Sequence, residues 1–271
     1  MRIGKTIYHF DQVEYAKLSV YRLNKNVQTV YSFIVDDILI DTAQRHNRKN
    51  IYSWIKDKKI NKIILTHHHE DHSGNVAFLM KKLGIDAFAH EKAVSILAKG
   101  YTISPLGILI NGKVEKAKLK PIFPNHIIET TNYQLQAIYT PGHCDDHFCF
   151  YEANKGWLFS GDLYVADTIK YFASYENIYQ QMDSLRKLCA LDFEVLFCSH
   201  NPKTRNGKAR LQNKLHIFED FIGKVKQLYS EGKNTDQILK TLGRTENIFY
   251  KYITFGNFTA TNLVKSVLED A

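Results

Sequence analysis

A ten-residue stretch, 66–75, concentrates side chains that bind metal ions, and it reads THHHEDHSGN. Imidazole and carboxylate groups are the donors that zinc, iron and manganese take in proteins. His67 and His69 alternate along the chain, so in an extended segment they project to the same side. Asp71 and His72 are adjacent and can face a second ion once the chain begins to turn. The stretch therefore predicts ligands for two ions, where a single His-x-His pair would be weak evidence.

The segments on either side place this stretch on a loop between a strand and a helix. The apolar run 63–65 is typical of a buried strand. Apolar residues then recur at helical intervals over 76–83, with Asn75 as a candidate cap before them and Gly84 after them. Loops that follow the strands of an α/β sheet are where such sheets bind their ligands. The position of the stretch therefore agrees with its chemistry.

Three further donors lie far along the chain, and each follows an apolar run that is typical of a strand. His143 ends a Thr-Pro-Gly-His turn, Asp162 a Ser-Gly-Asp segment and His200 a Cys-Ser-His segment. Polar residues commonly end strands, so each of the three is ordinary when taken alone. Together with the first stretch they complete the donors of a dinuclear site: three ligands for each metal, one carboxylate between the two charges and an open position for water.

Short apolar runs and helix-like segments alternate through the first two-thirds of the chain, which indicates a layered α/β domain. Residues 30–35 and 38–41 are predicted to be two strands joined by an acidic turn. The spacing of apolar residues predicts helices over 47–58 and 178–191. The segment 100–129, which contains three prolines, receives no assignment.

The pattern becomes helical after Pro202. The sequence therefore predicts an α/β domain over 1–201 and a helical C-terminal subdomain over 202–271, with boundaries uncertain by about two to four residues. The predicted helices of this subdomain cover 211–229, 234–242 and 259–268.

In these motifs the sequence resembles the metallo-β-lactamase superfamily, over roughly residues 20–201. The resemblance implies a four-layer αββα sandwich with its site at the strand ends. The superfamily's first motif, an Asp after the second hairpin strand, corresponds to Asp41, which usually supports the ligand loop by hydrogen bonds. Its usual Gly is Ala43 here, a departure that concerns the local turn. The residues that match the His-x-His-x-Asp-His motif and the later motifs, in the same order, are His67, His69, Asp71, His72, His143, Asp162 and His200.

The resemblance also implies how these residues are shared between two divalent ions, with zinc as the first expectation and iron or manganese as the alternatives. The implied ligands are His67, His69 and His143 for the first position, Asp71, His72 and His200 for the second position, and Asp162 as the bridge between them.

Two divalent ions lower the pKa of a shared water and so generate hydroxide near neutral pH. The hydroxide is expected to attack a carbonyl or phosphoryl centre, with Asp71 orienting it and relaying its proton. The full ligand set resembles the glyoxalase II and general hydrolase branches more than the classical lactamases. The predicted function is therefore hydrolysis of a small ester, thioester or lactone. His69 stands where flavodiiron relatives typically have Glu, which disfavours a redox di-iron enzyme.

Several neighbouring residues allow two interpretations. Tyr164 is a candidate hydrogen-bond donor to a substrate oxyanion, or it packs at the rim of the site. His68 and Glu70 alternate with the predicted ligands and are expected to face away from the metals. Cys144 is interpreted as a small buried side chain rather than a nucleophile. The residues 145–147 follow His143 closely and are interpreted as polar loop, with additional metal binding as the less favoured alternative.

The net charge of the 271-residue chain is +8, from 36 Lys and Arg against 28 Asp and Glu. This excess favours an acidic partner or substrate, so the predicted partner is a small molecule, an anionic one included. The basic residues of the run 203–214 either bind such a substrate or lie in solvent at the start of a helix. Nucleic acid ranks lower as a partner, because no aromatic-interleaved basic motif is evident. The alternative functions are a phosphodiesterase or ribonuclease acting on nucleic acid and a mononuclear iron persulfide dioxygenase.

Four cysteines without a Cys-x-x-Cys pair indicate reduced thiols rather than a disulfide framework. The first residues lack an apolar core of signal-peptide length, and no apolar stretch approaches the length of a membrane span. The sequence therefore predicts a cytoplasmic protein without a membrane partner, and it leaves the oligomeric state open.

Overall fold

The structure is a computed structural model that describes residues 1–269, apart from the side chain of Tyr250. Residues 270 and 271 of the predicted helical subdomain lie outside the described residues. Within the described range the strands form two large sheets and one two-stranded sheet.

The first sheet comprises seven strands within residues 1–122. They are β1 (Arg2–Phe10), β2 (Val13–Arg22), β3 (Lys25–Val35), β4 (Ile38–Ile40), β5 (Lys62–Ile64), β6 (Asp86–His90) and β7 (Lys120–Ile122). The strands β1 to β4 pair antiparallel, and β4 to β7 pair parallel. The predicted hairpin of 30–35 and 38–41 is confirmed as the end of β3 and β4, whereas the long β1–β2 hairpin was not predicted.

The second sheet has five strands in the described residues, in the order β13-β11-β10-β9-β8. The strands β8 to β11 pair antiparallel, and β13 joins β11 in parallel. A small sheet pairs β12 with β14. The bounds are β8 (Ile127–Glu129), β9 (Gln134–Tyr139), β10 (Phe148–Glu152), β11 (Trp157–Gly161), β12 (Phe172–Ala173), β13 (Val195–Cys198) and β14 (Phe258–Thr259).

The helices of the described chain follow or connect these strands. They are α1 (Arg48–Ile55), α2 (Glu70–Ser73), α3 (Val76–Leu83), α4 (Glu91–Lys99), α5 (Pro105–Asn111), α6 (Ile178–Cys189), α7 (Gly207–Ser230), α8 (Thr235–Thr241), α9 (Ile248–Ile253) and α10 (Ala260–Leu268). Among the described residues, none of them combines the length and apolar character that crossing a membrane requires.

Three buried apolar clusters show how the layers are stacked. One joins the first sheet to α1, α3 and α4, for example through Trp54 and Leu79. The second lies between the two sheets and contains Phe33 and Phe159. The third joins the second sheet to α6, α7, α8 and α10. Because each face of each sheet buries an apolar surface, the order is helix, sheet, sheet, helix, and the predicted αββα fold is confirmed.

The chain after Pro202 packs onto the second sheet, directly where Lys203 and the start of α7 contact β13 and otherwise through α6, rather than around a core of its own. The apolar residues of α7, α8 and α10 belong to the same cluster as those of α6. The three predicted helices match α7, α8 and α10, whereas α9 and β14 were not predicted. The domain boundary at 201/202 stays a prediction.

Candidate metal centre

The seven predicted ligands come together where β5, β9, β11 and β13 end, although they are spread over 134 positions of the chain from 67 to 200. Donor atoms of His67, His69 and His143 lie within 4.8 Å of one another, and so do those of Asp71, His72 and His200. Donor atoms of His67, His72 and Asp162 form a further group of this kind. The structure therefore places the first-position residues in one cluster and the second-position residues in another, beside Asp162.

The distances between donor atoms show which nitrogen each imidazole turns inward. In the first cluster, His69 Nδ1 lies 3.0 Å from His67 Nε2 and 3.1 Å from His143 Nε2. In the second cluster, Asp71 Oδ2 lies 3.4 Å from His200 Nε2. Donor atoms this close can share one cation of the zinc class.

Asp162 lies between the two clusters and has one oxygen near each. Its Oδ1 is 3.4 Å from His72 Nε2 and 3.3 Å from His200 Nε2. Its Oδ2 is 3.7 Å from His143 Nε2. This arrangement suits a carboxylate that serves two ions at once.

The outer ring nitrogen of each of the five histidines is held by an oxygen of the chain. A metal-ligating histidine almost always has such a partner, which fixes the tautomer and the orientation of its ring. The five contacts are His67 Nδ1 with Thr66 Oγ1 (3.1 Å), His69 Nε2 with Tyr175 Oη (3.2 Å), His72 Nδ1 with Asp41 Oδ2 (2.8 Å), His143 Nδ1 with Glu176 Oε1 (2.6 Å) and His200 Nδ1 with Thr29 O (2.6 Å).

Two buried atoms of the cluster lack any hydrogen-bond partner among the described residues: His72 Nε2 and Asp162 Oδ1. An unsatisfied buried polar atom costs about 1–3 kcal/mol, so such atoms are rare in folded proteins. Both atoms face the region where the second cluster would hold a cation. The residues present therefore fit a divalent metal.

Two of the three imidazoles of the first cluster, those of His67 and His69, favour their neutral form. Burial lowers the pKa of His67 and of His69 well below the ordinary value, and neighbouring imidazoles lower it further. Burial also acts on His143, but the Glu176 carboxylate more than offsets it and raises the pKa of His143. His67 and His69 therefore present free lone pairs to a cation at neutral pH.

The second cluster is an arrangement of opposite charges. Burial opposes the charge of His72 and His200, but the adjacent carboxylates raise the pKa of both imidazoles well above the ordinary value. Burial likewise opposes ionisation of Asp71 and Asp162, and the same imidazoles hold the pKa of both carboxyls below its usual range. A cation that binds here must displace the imidazole protons.

Asp41 holds the loop that carries the first ligands. Its Oδ1 accepts a hydrogen bond from Thr66 N at 2.8 Å, and its Oδ2 accepts one from Thr66 Oγ1 at 2.8 Å and contacts His72. The turn after it is strained, because Asp41 and Ala43 have φ values of 60° and 57°. Asn75 Nδ2 donates to the carbonyls of Thr42 at 2.8 Å and Ala43 at 3.2 Å. The side chain of Asn75 therefore stabilises this turn. The predicted side-chain cap of α3 is not formed.

Asp146 and His147, interpreted above as polar loop, each hold the backbone of the site. Asp146 Oδ2 accepts a hydrogen bond from His68 N at 2.8 Å. His147 Nε2 accepts one from Asp162 N at 3.1 Å, and it lies 2.5 Å from the position that a Cβ at Gly161 would take. Only a glycine at 161 lets His147 come this close to the backbone. The Gly161-Asp162 pair is therefore the sequence signal that could have identified the role of His147.

Three further residues of the sequence analysis occupy specific positions around the site. Tyr164 is buried and its hydroxyl donates to Asp167 Oδ1 at 2.6 Å, so its role as an oxyanion donor stays a prediction. Cys144 is buried as expected, but its Sγ belongs to the group of donor atoms formed by the first position. His68 turns its Nδ1 to Asp146 at 2.8 Å and, like Glu70, lines a neighbouring cavity.

This cavity, of about 820 Å³, opens beside His69 and Tyr175. The carboxylates in its wall are Glu70, Glu91, Asp145 and Asp146. Among the described lining residues the only Lys or Arg is Lys92, which pairs with Asp145 at 3.2 Å. The wall is therefore acidic.

The basic run 203–214 does not contribute to this wall. Arg210 pairs with Asp167 at 3.0 Å. Lys214 is fully buried, and its Nζ donates to Leu163 O at 2.6 Å. Lys214 is thus engaged within the fold, whereas the Arg210 side chain is 52% exposed at the start of α7, as in a solvated helix start. The role of the run stays a prediction.

Comparison with known proteins agrees with this geometry. Residues 27–200 match the metallo-beta-lactamase superfamily, a span that contains all seven predicted ligands. A hydroxyacylglutathione hydrolase of Pelagibacter ubique is 29% identical over 193 residues, which are 67% of this chain and 71% of that protein. The lactamase-like protein nscB of Trichophyton rubrum is 28% identical over 179 residues, 65% of this chain and 48% of that protein. The chain thus spans about half the length of several of its curated relatives.

Solved structures share the fold at low sequence identity. A metallo-beta-lactamase family protein from Thermus thermophilus superposes with a TM-score of 0.70 at 19% identity, covering 96% of this chain and 94% of the other. A beta-lactamase domain protein from Burkholderia ambifaria superposes with a TM-score of 0.71 at 13% identity, covering 96% and 86%. Because 96% of this chain is covered in both cases, each superposition extends beyond residue 200.

Proposed function

The chain belongs to the metallo-beta-lactamase superfamily, and on that basis we propose that it is a hydrolase with a dinuclear metal centre. The ions are divalent, with zinc as the first choice and iron or manganese as the alternatives. The substrate is a small ester, thioester or lactone. The observation that carries the proposal is the orientation of the five histidines, whose outer nitrogens are all held while their inner nitrogens meet in two clusters with Asp162 between them.

The ligands follow from the two clusters. In this proposal the first position takes its imidazoles from one cluster, the second position takes its donors from the other, and Asp162 serves both. Two cations held by these residues would polarise a scissile carbonyl and lower the pKa of a water. The proposed ligands are His67, His69 and His143 at the first position, and Asp71, His72 and His200 at the second.

Asp71 is suited to orient the attacking water and to take up its proton. Its Oδ2 accepts a hydrogen bond from Gln28 Nε2 at 2.7 Å, which fixes the direction of the carboxylate. The imidazoles of His72 and His200 hold the pKa of Asp71 below its usual range despite burial, so Asp71 is ionised at neutral pH. An ionised carboxylate within reach of the reacting water is a general base.

The acidic wall of the cavity favours a substrate that carries no net negative charge. Hydroxyacylglutathione hydrolases are among the relatives, which supports a thioester. A glutathione thioester is anionic, however, and the wall holds four carboxylates against Lys92. An anionic substrate, as the net charge of the chain predicts, finds no unpaired cation among the described lining residues. We therefore favour a neutral or cationic acyl compound within the same class.

The test begins with the metal content of protein purified without chelator or added metal. The protein is then loaded with Zn, Mn or Fe and assayed against a colorimetric panel of thioesters, lactones, esters and bis-nitrophenyl phosphate. Turnover of acyl substrates with two ions per chain is the expected result. No turnover with any metal contradicts hydrolysis.

The same panel separates the alternatives. Turnover of bis-nitrophenyl phosphate alone favours a phosphodiesterase, and one iron per chain with oxygen uptake on a persulfide favours the dioxygenase. The complete second cluster, with Asp71, His72 and His200 in reach of one another, supports two ions over one.

A further inference from the structure

A six-residue segment that follows β11 and leads into α6 contacts two predicted ligands of the first metal position directly. We call residues 172–177 the bracket, which runs from β12 to the start of α6. Two consecutive bracket residues hold the outer nitrogens of two predicted ligands: Tyr175 Oη lies 3.2 Å from His69 Nε2, and Glu176 Oε1 lies 2.6 Å from His143 Nδ1.

Glu176 is fixed in place within the bracket. Its second oxygen, Oε2, accepts a hydrogen bond from Ala173 N at 2.9 Å, so both carboxylate oxygens are engaged. Its side chain is only 9% exposed. The carboxylate therefore has little freedom to turn away from His143.

The bracket is also tied to the turn that carries His143. Asn177 N donates to Gly142 O at 2.8 Å. Gly142 has a φ of 124°, and a Cβ there would lie 2.3 Å from Gln181 N in α6. The turn is thus pressed against the start of α6, and only glycine permits this approach.

The outer side of the bracket is held by the extension, by which we mean the described residues 202–269. In the small sheet β12 pairs with β14 of the extension. Ser174 N donates to Asn257 O at 2.8 Å, and Asn262 Nδ2 donates to Phe172 O at 3.2 Å.

A serine of α10 closes the connection. Ser266 Oγ donates to Glu176 O at 3.2 Å and accepts a hydrogen bond from Ile178 N at 2.9 Å. Its side chain is buried, with 8% of the residue exposed. One hydroxyl of the extension therefore fixes the backbone on both sides of Asn177, directly beside the residue that holds His143.

We propose that the extension sets the metal affinity of the first position by holding Glu176 and Tyr175 against His143 and His69. The match to the superfamily ends at residue 200 and assigns no such role to the residues beyond it. A carboxylate on the outer nitrogen fixes the ring and increases its basicity as a ligand. Since such coupling is reciprocal, a cation at the first position also stabilises the docking of the extension. The inference rests on the proposed metal centre.

The first experiment measures Zn²⁺ affinity by competition with a chromogenic chelator in wild type and in Glu176→Gln. The variants His143→Ala and His200→Ala identify the first and the second binding step. Glu176→Gln is expected to weaken the first position about 10- to 100-fold and to leave the second almost unchanged, as loss of such an outer partner does at other metal sites. Glu152→Gln, at a buried carboxylate that accepts from Lys155 N, is the matched control and is expected to bind like wild type.

The second experiment tests the role of the extension itself with Ser266→Ala. Its matched control is Ser230→Ala, at an exposed serine of α7 that bonds Gln227 O. Ser266→Ala is expected to weaken the first position several-fold while Ser230→Ala does not. Hydrogen exchange at the amides of Ser174 and Ile178 is expected to slow when Zn²⁺ is added to wild type and to respond less in Glu176→Gln.

The outcomes are distinguishable from failure of the proposed function. Wild type that binds no divalent ion contradicts the metal centre and with it this inference. Wild type that binds two ions, with Glu176→Gln and Ser266→Ala retaining wild-type affinity at the first position, overturns the inference alone. Protection confined to the 66–72 loop on addition of Zn²⁺ overturns the reciprocal coupling.

Discussion

The two predicted metal positions differ in charge and in the part of the chain that holds them. The first consists of imidazoles, of which His67 and His69 favour the neutral form. The second combines Asp71 with two imidazoles that the carboxylates keep protonated. The outer partners at the first position come mainly from the bracket, whereas those at the second come from β3 and from Asp41 after β4.

The two metal positions are therefore supported by different parts of the chain. Thr29 and Gln28 on β3 reach the second position, so the N-terminal sheet supports it. Glu176 and Tyr175 reach the first position, and the C-terminal extension supports them. Variants at the two ends are therefore expected to affect different ions, and Asp162 is the residue on which both depend.

The largest effect is expected from Asp162→Ala, which removes the carboxylate that faces both clusters. At least one ion is expected to be lost, and turnover of the best panel substrate to fall by about three orders of magnitude or more, since metal stabilisation of the transition state is worth several kcal/mol. Metal content, turnover and circular dichroism measure the loss and show whether the fold remains. Asp183→Ala, at an exposed carboxylate of α6, is the control, and unchanged activity in Asp162→Ala rejects the bridging role.

The next largest effect is expected from a change of pH, which lowers the metal affinity of the two positions by different amounts. His72 and His200 have pKa values well above the ordinary one, so below those values each holds a proton that a cation must displace. At the first position only His143 has a raised pKa. As the pH falls from 8 to 6, affinity at the second position is expected to fall more steeply than at the first, because a cation displaces two imidazole protons at the second position and one at the first. Chelator competition across this range measures both slopes, and equal slopes contradict the assignment of charge.

Asp41→Asn is expected to weaken the second position more than the first. The amide cannot reproduce a carboxylate that accepts from Thr66 and contacts His72. Loss of such a partner lowers metal affinity by about 10- to 100-fold, and the broken buried contacts cost about 1–3 kcal/mol in the free energy of unfolding. Chelator competition and denaturant unfolding test the two effects. Asp37→Asn, on the same hairpin, is the control, and a greater loss at the first position contradicts the comparison.

The smallest effect is expected from Gln28→Ala. This change removes one hydrogen bond to Asp71 Oδ2 and leaves every proposed ligand in place, so turnover is expected to fall only a few-fold. Steady-state kinetics on the metal-loaded enzyme measure it, with the exposed Gln12→Ala as control. A loss as large as that in Asp162→Ala contradicts an orienting role for Gln28.

The fold was predictable where the apolar spacing is regular. The ends of β3 and β4 and the helices α6, α7, α8 and α10 follow from it. The strand β1 was not predicted, because it is an edge strand of the first sheet with mostly exposed side chains and lacks a clear alternation. The elements α9 and β14 were missed because each is too short to show a periodic pattern of apolar residues.

The sequence by itself determined the chemistry of the site. Only a few residue types bind such ions, so His67, His69, Asp71 and His72 at their spacing indicated metal binding before any contact was known.

Only the tertiary structure decided what surrounds those ligands. Glu176, Tyr175 and Thr29 are common residue types, and no spacing relates them to the histidines that they hold. The same holds for the acidic wall of the cavity, since the net charge of the chain is positive while the charge of that wall is negative. A ligand is identified by its own chemistry, whereas its outer partner is chosen by how distant segments pack.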